Sequence, residues 1–291
     1  MKENLKQSLS VAGLFAVTFF WGSTFVLVKQ TIAVFDLYYF LFLRFLLAFL
    51  ILALFFYRRL FSVKAGTILA SFILSLLLCS VYISQTEGLR YTSASNSALI
   101  TGLYIVLVPI FSIICFRIRS RRSSYFGALL ALIGLYLLTQ YSWTGFNSGD
   151  GLTLICAAGC AWHIILTGKY TKKHDAASLV IFQFLFTAVF LAVFSLGRGS
   201  VTLHIPKIAI IAIVITAVFA TAIAFIVQTV AQRYVDATRT GIIFAMEAPF
   251  GVLFAWRLGN ESLTTISFIG ACVMVMGMVV SEAYPFIKKL L

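Results

Sequence analysis

Charged residues are scarce in this chain. Only 11% of its 291 residues are Asp, Glu, Lys or Arg, while 62% are hydrophobic and the mean hydropathy is +1.04. Soluble domains carry roughly a quarter charged residues, so this composition excludes a water-soluble fold. Apolar runs such as 40–56 and 208–227 approach the ~20 residues that a helix needs to cross a bilayer. The short alternating strands typical of a membrane barrel are missing, and we therefore predict an all-α membrane protein.

Acidic residues are the scarcest charged type, with nine Asp and Glu against 22 Lys and Arg, for a net charge of +13. A nucleic-acid-binding face would need its basic residues clustered on one exposed element. Here they lie in the short gaps between apolar runs, so no nucleic-acid partner is predicted. This placement is typical of the signal that orients membrane helices, in which Lys and Arg stay in the cytoplasmic loops.

Histidine and cysteine are too few, or too dispersed, for the common metal and nucleophile chemistries. The three histidines, His163, His174 and His204, are too far apart for a paired-histidine protease motif, and no Gly-x-Ser-x-Gly occurs. The five cysteines fall inside apolar runs, as small hydrophobes do. Cys156, Cys160 and His163 share a helix face by their spacing, but a fourth ligand is missing. We predict no enzyme activity, metal or cofactor, and no polar filter loop indicates a channel.

Polar breaks between the apolar runs predict ten transmembrane helices. The first run follows Lys2 and Lys6, is of spanning length and has no clear cleavage site, so we expect it to remain as an uncleaved helix. The ten predicted spans are approximately 9–29, 36–57, 66–87, 92–115, 122–140, 151–170, 177–197, 206–231, 238–257 and 263–283.

The loops between these spans differ strongly in charge. With the N-terminus inside, 16 Lys and Arg residues fall in the inner segments, including Lys2, Lys288 and Lys289, and five fall outside. This bias predicts that both termini are cytoplasmic. We expect a multi-pass protein of the bacterial cytoplasmic (inner) membrane, in contact with the lipid bilayer.

The chain repeats itself at one constant spacing, which we call the repeat offset and which is the separation of Gln85 from Gln228. The run from Gln85 to Ala94 shares Gln-Thr, Arg-Tyr and Ala with the run from Gln228 to Ala237, and Gly127 and Gly134 recur as Gly270 and Gly277. A five-helix unit used twice enters the membrane from the opposite side the second time, because five is odd. We therefore predict two inverted five-helix repeats, at 1–140 and 151–291, in one integrated membrane domain. Such symmetry is typical of transporters that work by alternating access.

Several short motifs, taken in order, resemble the EamA family of the drug/metabolite transporter superfamily. They are Trp21-Gly22-Ser23-Thr24-Phe25, Arg44-Phe45, the run Gly88 to Ala94, Glu247-Ala248-Pro249 and Asn260-Glu261. The resemblance implies a ten-helix inner-membrane carrier, commonly an exporter of amino acids or other small metabolites, with a central cavity between the halves. The first half departs from the family pattern, because Arg117-Ile118-Arg119 stands where an acidic residue is usual, and we expect that loop's pairing to be lost.

Ionisable groups within a span are costly and are therefore functional candidates. Glu247 lies near the middle of the ninth span, two residues before Pro249, which we expect to kink that helix. The repeat offset pairs Glu247 with Tyr104, so that a phenol and a carboxyl would face each other across the pseudo-axis. Glu247 is our candidate for binding substrate or a coupling proton, and static pairing with a neighbouring helix is the alternative.

Two tryptophans also occupy corresponding positions, Trp21 and Trp162, away from the interfacial belt where tryptophan collects. We expect them to line one cavity that suits a partly apolar or cationic solute, with lipid-facing or interhelical packing as the alternative. His163 is a further substrate-binding candidate because it can titrate near neutral pH, although it can equally bridge two helices. Arg44 and Lys29 are expected to extend toward the headgroups, although Arg44 is deep enough to need a partner.

The remaining polar residues are interpreted as structural. Glu87 and Arg90 are three residues apart, as are Arg233 and Asp236, which lets each pair neutralise itself.

Together these patterns predict a secondary transporter of a small-molecule substrate, in particular an exporter of amino acids or related compounds, with protons as a candidate coupling ion. A flippase or carrier for a lipid or amphipathic compound is the alternative. A laterally open apolar cavity would favour the flippase, and convergence of Glu247, Tyr104 and His163 would favour the metabolite.

Overall fold

A computed structural model describes the backbone of residues 2–139 and 147–290 and the side chains of 5–137 and 147–282. The predicted boundary near residue 140 and the side chains of Lys2, Lys288 and Lys289 lie outside these described parts. Within them, every regular element is a helix. The division of the chain at 140 and 151 stays a prediction.

In the described residues ten helices form the bundle, and two of them are broken. Nine segments are long and apolar enough to cross a membrane, and the tenth, α5, has a shorter apolar stretch over Arg122–Leu137. The predicted ten-helix, all-α membrane fold is confirmed. The helices are α1 (Lys2–Ile32), α2 (Leu37–Phe55), α3 (Ala65–Gly88), α4a (Ala94–Thr101), α4b (Tyr104–Phe116), α5 (Arg122–Thr139), α6 (Ser148–Tyr170), α7 (Ala176–Gly197), α8 (Lys207–Ala231), α9a (Ala237–Phe244), α9b (Glu247–Leu258) and α10 (Thr265–Leu290), with a short turn at Tyr57–Leu60 after α2.

Short polar residues start the helices at matching places in the two halves. Asp36 begins α2 and Asp175 begins α7, and each carboxylate accepts a hydrogen bond from the backbone N–H three residues later. Asn147 and Asp150 form a reciprocal capping box at the start of α6. These caps satisfy N–H groups that lipid could not. They also align α2 with α7, because Asp36 and Asp175 then occupy equivalent positions.

The breaks in α4 and α9 lie at equivalent positions, because Gly102 and Leu103 correspond to Ala245 and Met246 at the repeat offset. At each break the chain tightens to bonds over three residues, Leu103 N to Ile100 O at 3.1 Å and Met246 N to Ile243 O at 3.0 Å. Pro249 has no N–H for the carbonyl of Ala245, so the expected disturbance appears four residues before the proline. As a result, Tyr104 and Glu247 each begin the second piece of a broken helix.

Pairs of equivalent residues meet where the halves join. An ideal Cβ on Gly127 would lie 2.6 Å from the carbonyl oxygen of Gly277, and one on Gly134 would lie 2.6 Å from that of Gly270. Because the residue numbers run in opposite directions, α5 and α10 cross antiparallel, and the four glycines are those of the sequence repeat. The rings of Phe45 in α2 and Phe184 in α7 are also 5.6 Å apart. These contacts are those expected of inverted halves related by a pseudo-two-fold axis.

The two ends of the bundle differ in charge. The basic end carries the α2–α3, α4–α5, α6–α7 and α8–α9 loops together with the start of α1, and Arg59 there pairs with Asp175 at 3.7 Å. At the opposite end Lys29 donates to the carbonyl of Thr92 at 2.6 Å, and Thr92 donates to Asp150 at 2.7 Å. Lys29 therefore bonds to the protein, whereas the sequence predicts that it extends toward the headgroups.

One of the two predicted local ion pairs is confirmed and the other is wrong. Arg90 and Glu87 lie 3.2 Å apart. Arg233 instead donates to the carbonyls of Thr171 at 3.1 Å and His174 at 3.0 Å. Asp236 instead begins α9a, where its carboxylate accepts the N–H of Arg239.

The loops after α4b and α9b differ in one acidic residue, which is present as Glu261 after α9b and absent after α4b. Arg117 and Asn260, which are equivalent at the repeat offset, are the left-handed residues of these loops, both with φ of 55°. The carboxylate of Glu261 accepts the N–H groups of Ala94 and Ser95 at 3.1 and 3.3 Å, and so caps α4a. In the first half Ile118 stands in the equivalent place and cannot do this, and Ser120 donates to Thr238 at 2.6 Å instead.

Candidate functional site

A cavity lies at the centre of the bundle, between helices of both halves. Its walls come from α1, α2, α3, α4, α6, α8 and α9. Four of the five predicted site residues lie on it: Trp21, Tyr104, His163 and Glu247. Its water-accessible volume is about 70 Å³. The other lining residues are Thr24, Phe25, Val28, Arg44, Leu78, Val81, Tyr82, Gln85, Thr86, Leu89, Thr101, Cys160, Ile164, Phe225, Gln228 and Phe244.

Glu247 and Tyr104 face each other across the cavity wall. The Tyr104 hydroxyl donates to Glu247 Oε2 at 3.4 Å, and the two residues are 143 positions apart, which is the repeat offset. The predicted contact between the symmetry-related pair is therefore confirmed. Glu247 is only 7% exposed, and no Lys, Arg or His of the described chain forms an ion pair with it. A phenol can donate to a carboxylate but cannot neutralise it, so a proton or a cationic ligand group is the natural partner for Glu247.

Trp21 is held in the cavity wall by an irregular turn of α8. Residues Val218–Ile223 form a π-helical turn, which leaves backbone groups outside the regular bonding pattern. The indole Nε1 of Trp21 donates to the carbonyl of Ala220 at 2.8 Å. Its ring packs edge-on against Phe244, with the centroids 4.7 Å apart. The hydrogen bond fixes the ring orientation and leaves its apolar surface toward the cavity.

Arg44 is a cavity residue that sequence reasoning assigned elsewhere. The expectation that it extends to the headgroups is wrong, because Arg44 is 3% exposed and lines the cavity. The expectation that it needs a partner at this depth is confirmed. Its Nε donates to Thr221 Oγ1 at 2.8 Å, and its Nη2 lies 3.3 Å from the Tyr82 hydroxyl and 3.4 Å from the carbonyl of Ala220. Its position as the one charged residue in the apolar run 40–56 was the available signal, since such residues are functional candidates by default.

His163 bridges two helices at the edge of the cavity. Its Nε2 lies 3.3 Å from Gln183 Oε1 in α7, and its Nδ1 lies 3.5 Å from the Thr167 hydroxyl one turn away. By the alignment of the two helix-starting aspartates, Gln183 is the counterpart of Arg44. The two halves therefore place a charged and a neutral polar group at equivalent positions, of which Arg44 lines the cavity.

Trp162 does not share the cavity with its counterpart Trp21. Its ring stacks on Phe111 at 5.3 Å and meets Phe116 edge-on at 5.9 Å, both in α4b. The prediction that both tryptophans line one cavity is wrong for Trp162, and interhelical packing describes its position. The physical reason is the rotation of α6, which turns His163 toward the cavity and the preceding residue toward α4b.

Polar contacts join α6 and α8 toward the basic end of the bundle. Gln232 donates to the carbonyl of Ile164 at 2.8 Å and accepts from Gln228 at 3.2 Å. Nearby, the Thr171 hydroxyl donates to the carbonyl of Thr229 at 2.7 Å. In the first half the position of Gln232 is occupied by Leu89, which cannot form such a bond. The equivalent residues Gln232 and Leu89 therefore make different contacts.

Comparison with known proteins identifies the family. A model of the EamA-like transporter family matches residues 8–140 and again 147–282. A protein of Archaeoglobus fulgidus, named an uncharacterized transporter, is 32% identical over 282 residues, covering 96% of this chain and 87% of that protein. The uncharacterized transporter YyaM of Bacillus subtilis is 26% identical, covering 69% of this chain and 68% of its own length.

A solved crystal structure shares the fold. It superposes with a TM-score of 0.77 over 94% of this chain and 96% of the other, at 16% sequence identity. The twofold family match agrees with the repeat seen in the sequence and in the helix breaks. The chain belongs to the EamA-like transporter family, and its coarse function is transport across a membrane.

Proposed function

We propose that this protein is a secondary transporter that exports amino acids or related small metabolites by alternating access, with Glu247 as the residue that binds either a proton or the cationic group of the substrate. The observation that carries the proposal is the position of Glu247. Its carboxyl group is buried on the central cavity, at the pseudo-two-fold axis, with only the Tyr104 hydroxyl as a hydrogen-bond partner among the described residues.

A site on the axis suits a carrier because it lies at the same depth from both ends. When one half rocks against the other, groups on the axis can be reached from either side in turn. A carboxyl there that exchanges a proton for a cationic group links the two fluxes and needs no cofactor. The different contacts of the equivalent residues Gln232 and Leu89 support this mechanism, because in this proposal one end of the cavity opens while the other stays closed.

The residues that line the cavity are our reason to favour a metabolite carrier over a flippase. Besides Glu247, the cavity presents Arg44, His163, Gln85 and Gln228. Burying these groups beside lipid tails would cost several kcal/mol each without partners. A polar solute provides such partners, so we favour a metabolite over an amphipathic lipid.

Transport measured in proteoliposomes tests the proposal. Purified protein is reconstituted, loaded with labelled amino acids or their derivatives, and assayed for flux with and without a pH gradient. We expect saturable flux of at least one zwitterionic compound, accelerated by a gradient that supplies protons to the opposite face. Equal flux in protein-free liposomes for every compound, together with scrambling of fluorescent phospholipids by the protein, would establish the flippase instead.

We also propose that the basic end is cytoplasmic in a bacterial inner membrane, because Lys and Arg accumulate in cytoplasmic loops. In a variant without its native cysteines, a single cysteine replaces Ser62 at the basic end or Ser148 at the opposite end, both of which are exposed. An impermeant maleimide added to intact cells is expected to label the Ser148→Cys protein and to spare Ser62→Cys until the membrane is opened. The reverse pattern would invert the topology.

The two equivalent tryptophans provide a matched test of the cavity. Trp21→Phe removes the hydrogen bond to Ala220 and loosens an aromatic wall, and we expect an increase in KM of about 5- to 20-fold, as for the loss of one buried hydrogen bond. Trp162→Phe keeps the stacking with Phe111 and is expected to change KM less than twofold. Equal effects of the two substitutions would contradict the assignment of Trp21 to the cavity.

A further inference from the structure

The cavity contains a buried cation whose protein partners are all neutral. Arg44 bonds to a threonine hydroxyl, a tyrosine hydroxyl and a backbone carbonyl, and its guanidinium also lies 4.6 Å from the centroid of the Tyr82 ring. None of the ion pairs in the described chain includes it. A buried charge without a counter-ion is costly even when it is hydrogen-bonded, so the site favours an anionic ligand group.

Some of the N–H donors of the Arg44 guanidinium have no partner in the described part of the chain. It has five N–H groups, and the hydrogen bonds described above use Nε and Nη2. The N–H groups of Nη1 have no hydrogen-bond partner in the described part of the chain. Since Arg44 lines the cavity, these donors are available to a ligand. A guanidinium N–H donates a charge-assisted hydrogen bond to a carboxylate oxygen.

The π-helical turn of α8 explains how Arg44 is held. Ala220 and Thr221, which accept hydrogen bonds from Arg44, both lie inside Val218–Ile223. The equivalent residues of the first half, 75–80, are regular α-helix. Such turns occur often at functional sites because they displace backbone groups from the helical pattern. Here the same carbonyl also accepts the Trp21 indole, so one turn orients both a cation and an aromatic wall.

We propose that Arg44 binds the carboxylate of the substrate and that Thr221, through the π-helical turn, is its positioning residue. The proposal rests on the proposed function and makes it more specific. With Arg44 and Glu247 on one cavity, the ligand class is a small molecule that carries a carboxylate and a cationic group, as a free α-amino acid does. An amine without the carboxylate would leave Arg44 without its anion and would be a poor substrate.

The experiment compares amino acids with the amines formed by their decarboxylation. Wild-type protein in liposomes is tested with the protein amino acids and the matching amines, and Arg44→Gln and Arg44→Lys are tested in parallel. We expect the wild type to prefer an amino acid over its amine by at least about tenfold in kcat/KM, as a charge-assisted hydrogen bond provides. Arg44→Gln is expected to lose that preference while amine transport stays within about twofold, and Arg44→Lys to recover it only in part.

Thr221 is tested with a control in the same helix. Thr221→Val removes the hydroxyl that accepts from Arg44 Nε, and we expect KM for the amino acid to rise about three- to tenfold while KM for the amine is unchanged. Thr216→Val makes the same substitution at a buried residue whose hydroxyl bonds only within its own helix, to Ala212 at 2.7 Å and Ile213 at 3.4 Å. This control is expected to leave both values unchanged. All variants are checked for monodispersity and thermal melting.

The outcomes separate this proposal from the one on which it rests. If the wild type transports an amino acid but carries the amine equally well, or if Arg44→Gln weakens both alike, Arg44 has no carboxylate-binding role and the transport function stands. If the wild type transports no amino acid but does transport a related metabolite, the assignment of Arg44 fails and the transport function stands. If it transports neither, both proposals fail.

Discussion

Replacing Glu247 by Gln is expected to abolish gradient-driven transport while leaving the protein folded. Gln keeps the shape of the side chain and can still accept a hydrogen bond from the Tyr104 hydroxyl, which lies 3.4 Å from Glu247 Oε2 in the native protein. It cannot take up a proton or balance a cationic group. We expect proton-driven flux to fall by at least about a hundredfold, because loss of a buried charge partner costs several kcal/mol. The measurement is flux in liposomes at a series of imposed pH gradients.

The matched control is Glu261→Gln, at the end of the bundle opposite to the basic end. Glu261 caps α4a by accepting the N–H groups of Ala94 and Ser95 on its two carboxylate oxygens, and the carbonyl oxygen of Gln can still accept one of them. This variant is expected to retain transport and its pH dependence. Wild-type rates and pH dependence in Glu247→Gln would show that Glu247 is only a packing residue. The coupling group would then have to be sought at His163 or outside the membrane.

Replacing Gly134 by Ala is expected to disrupt the crossing of α5 and α10, the most extensive helix–helix contact in the described chain. An ideal Cβ on Gly134 would lie 2.6 Å from the carbonyl oxygen of Gly270 and 2.7 Å from the backbone nitrogen of Met274. Both are backbone atoms, so relief requires the helices to separate. Overpacking of this kind costs about 1–3 kcal/mol. We expect a lower melting temperature in detergent and a loss of transport.

Gly197→Ala is the control for this substitution, because a Cβ on Gly197 meets nothing within 4 Å. It also lies at the end of a membrane helix and is expected to leave the melting temperature within about a degree of wild type, as exposed substitutions do. If Gly134→Ala melts and transports like Gly197→Ala, the close backbone contact is not needed to hold the halves together.

The contact between Tyr104 and Glu247 is one that the sequence repeat predicts by itself. The constant repeat offset assigns the two residues to equivalent positions, and a two-fold axis brings equivalent residues on its line into contact. The same reasoning applies to Gly127, Gly134 and their counterparts in α10. The offset does not specify what these residues bind, so the substrate and coupling roles of Glu247 stay predictions.

The two tryptophans show that the sequence repeat does not predict which residues face the cavity. Trp21 and Trp162 correspond in sequence, but only Trp21 lines the cavity. In a soluble helix the polar face marks the side turned to water, whereas in a membrane both the lipid-facing and the buried faces are apolar. The rotation of α6 about its axis therefore could not be derived from its residues.

The amino-acid sequence by itself determined the membrane class, the ten spans and the doubled architecture, because apolar length, loop charge and internal repetition are properties of the chain alone. Only the tertiary structure decided that Arg44 belongs to the cavity. Its partner Thr221 lies 177 residues away in the chain, in a π-helical turn that no local pattern predicted. Contacts of this range depend on how helices pack and bend, and a buried cation is assigned to its site only when those partners come together.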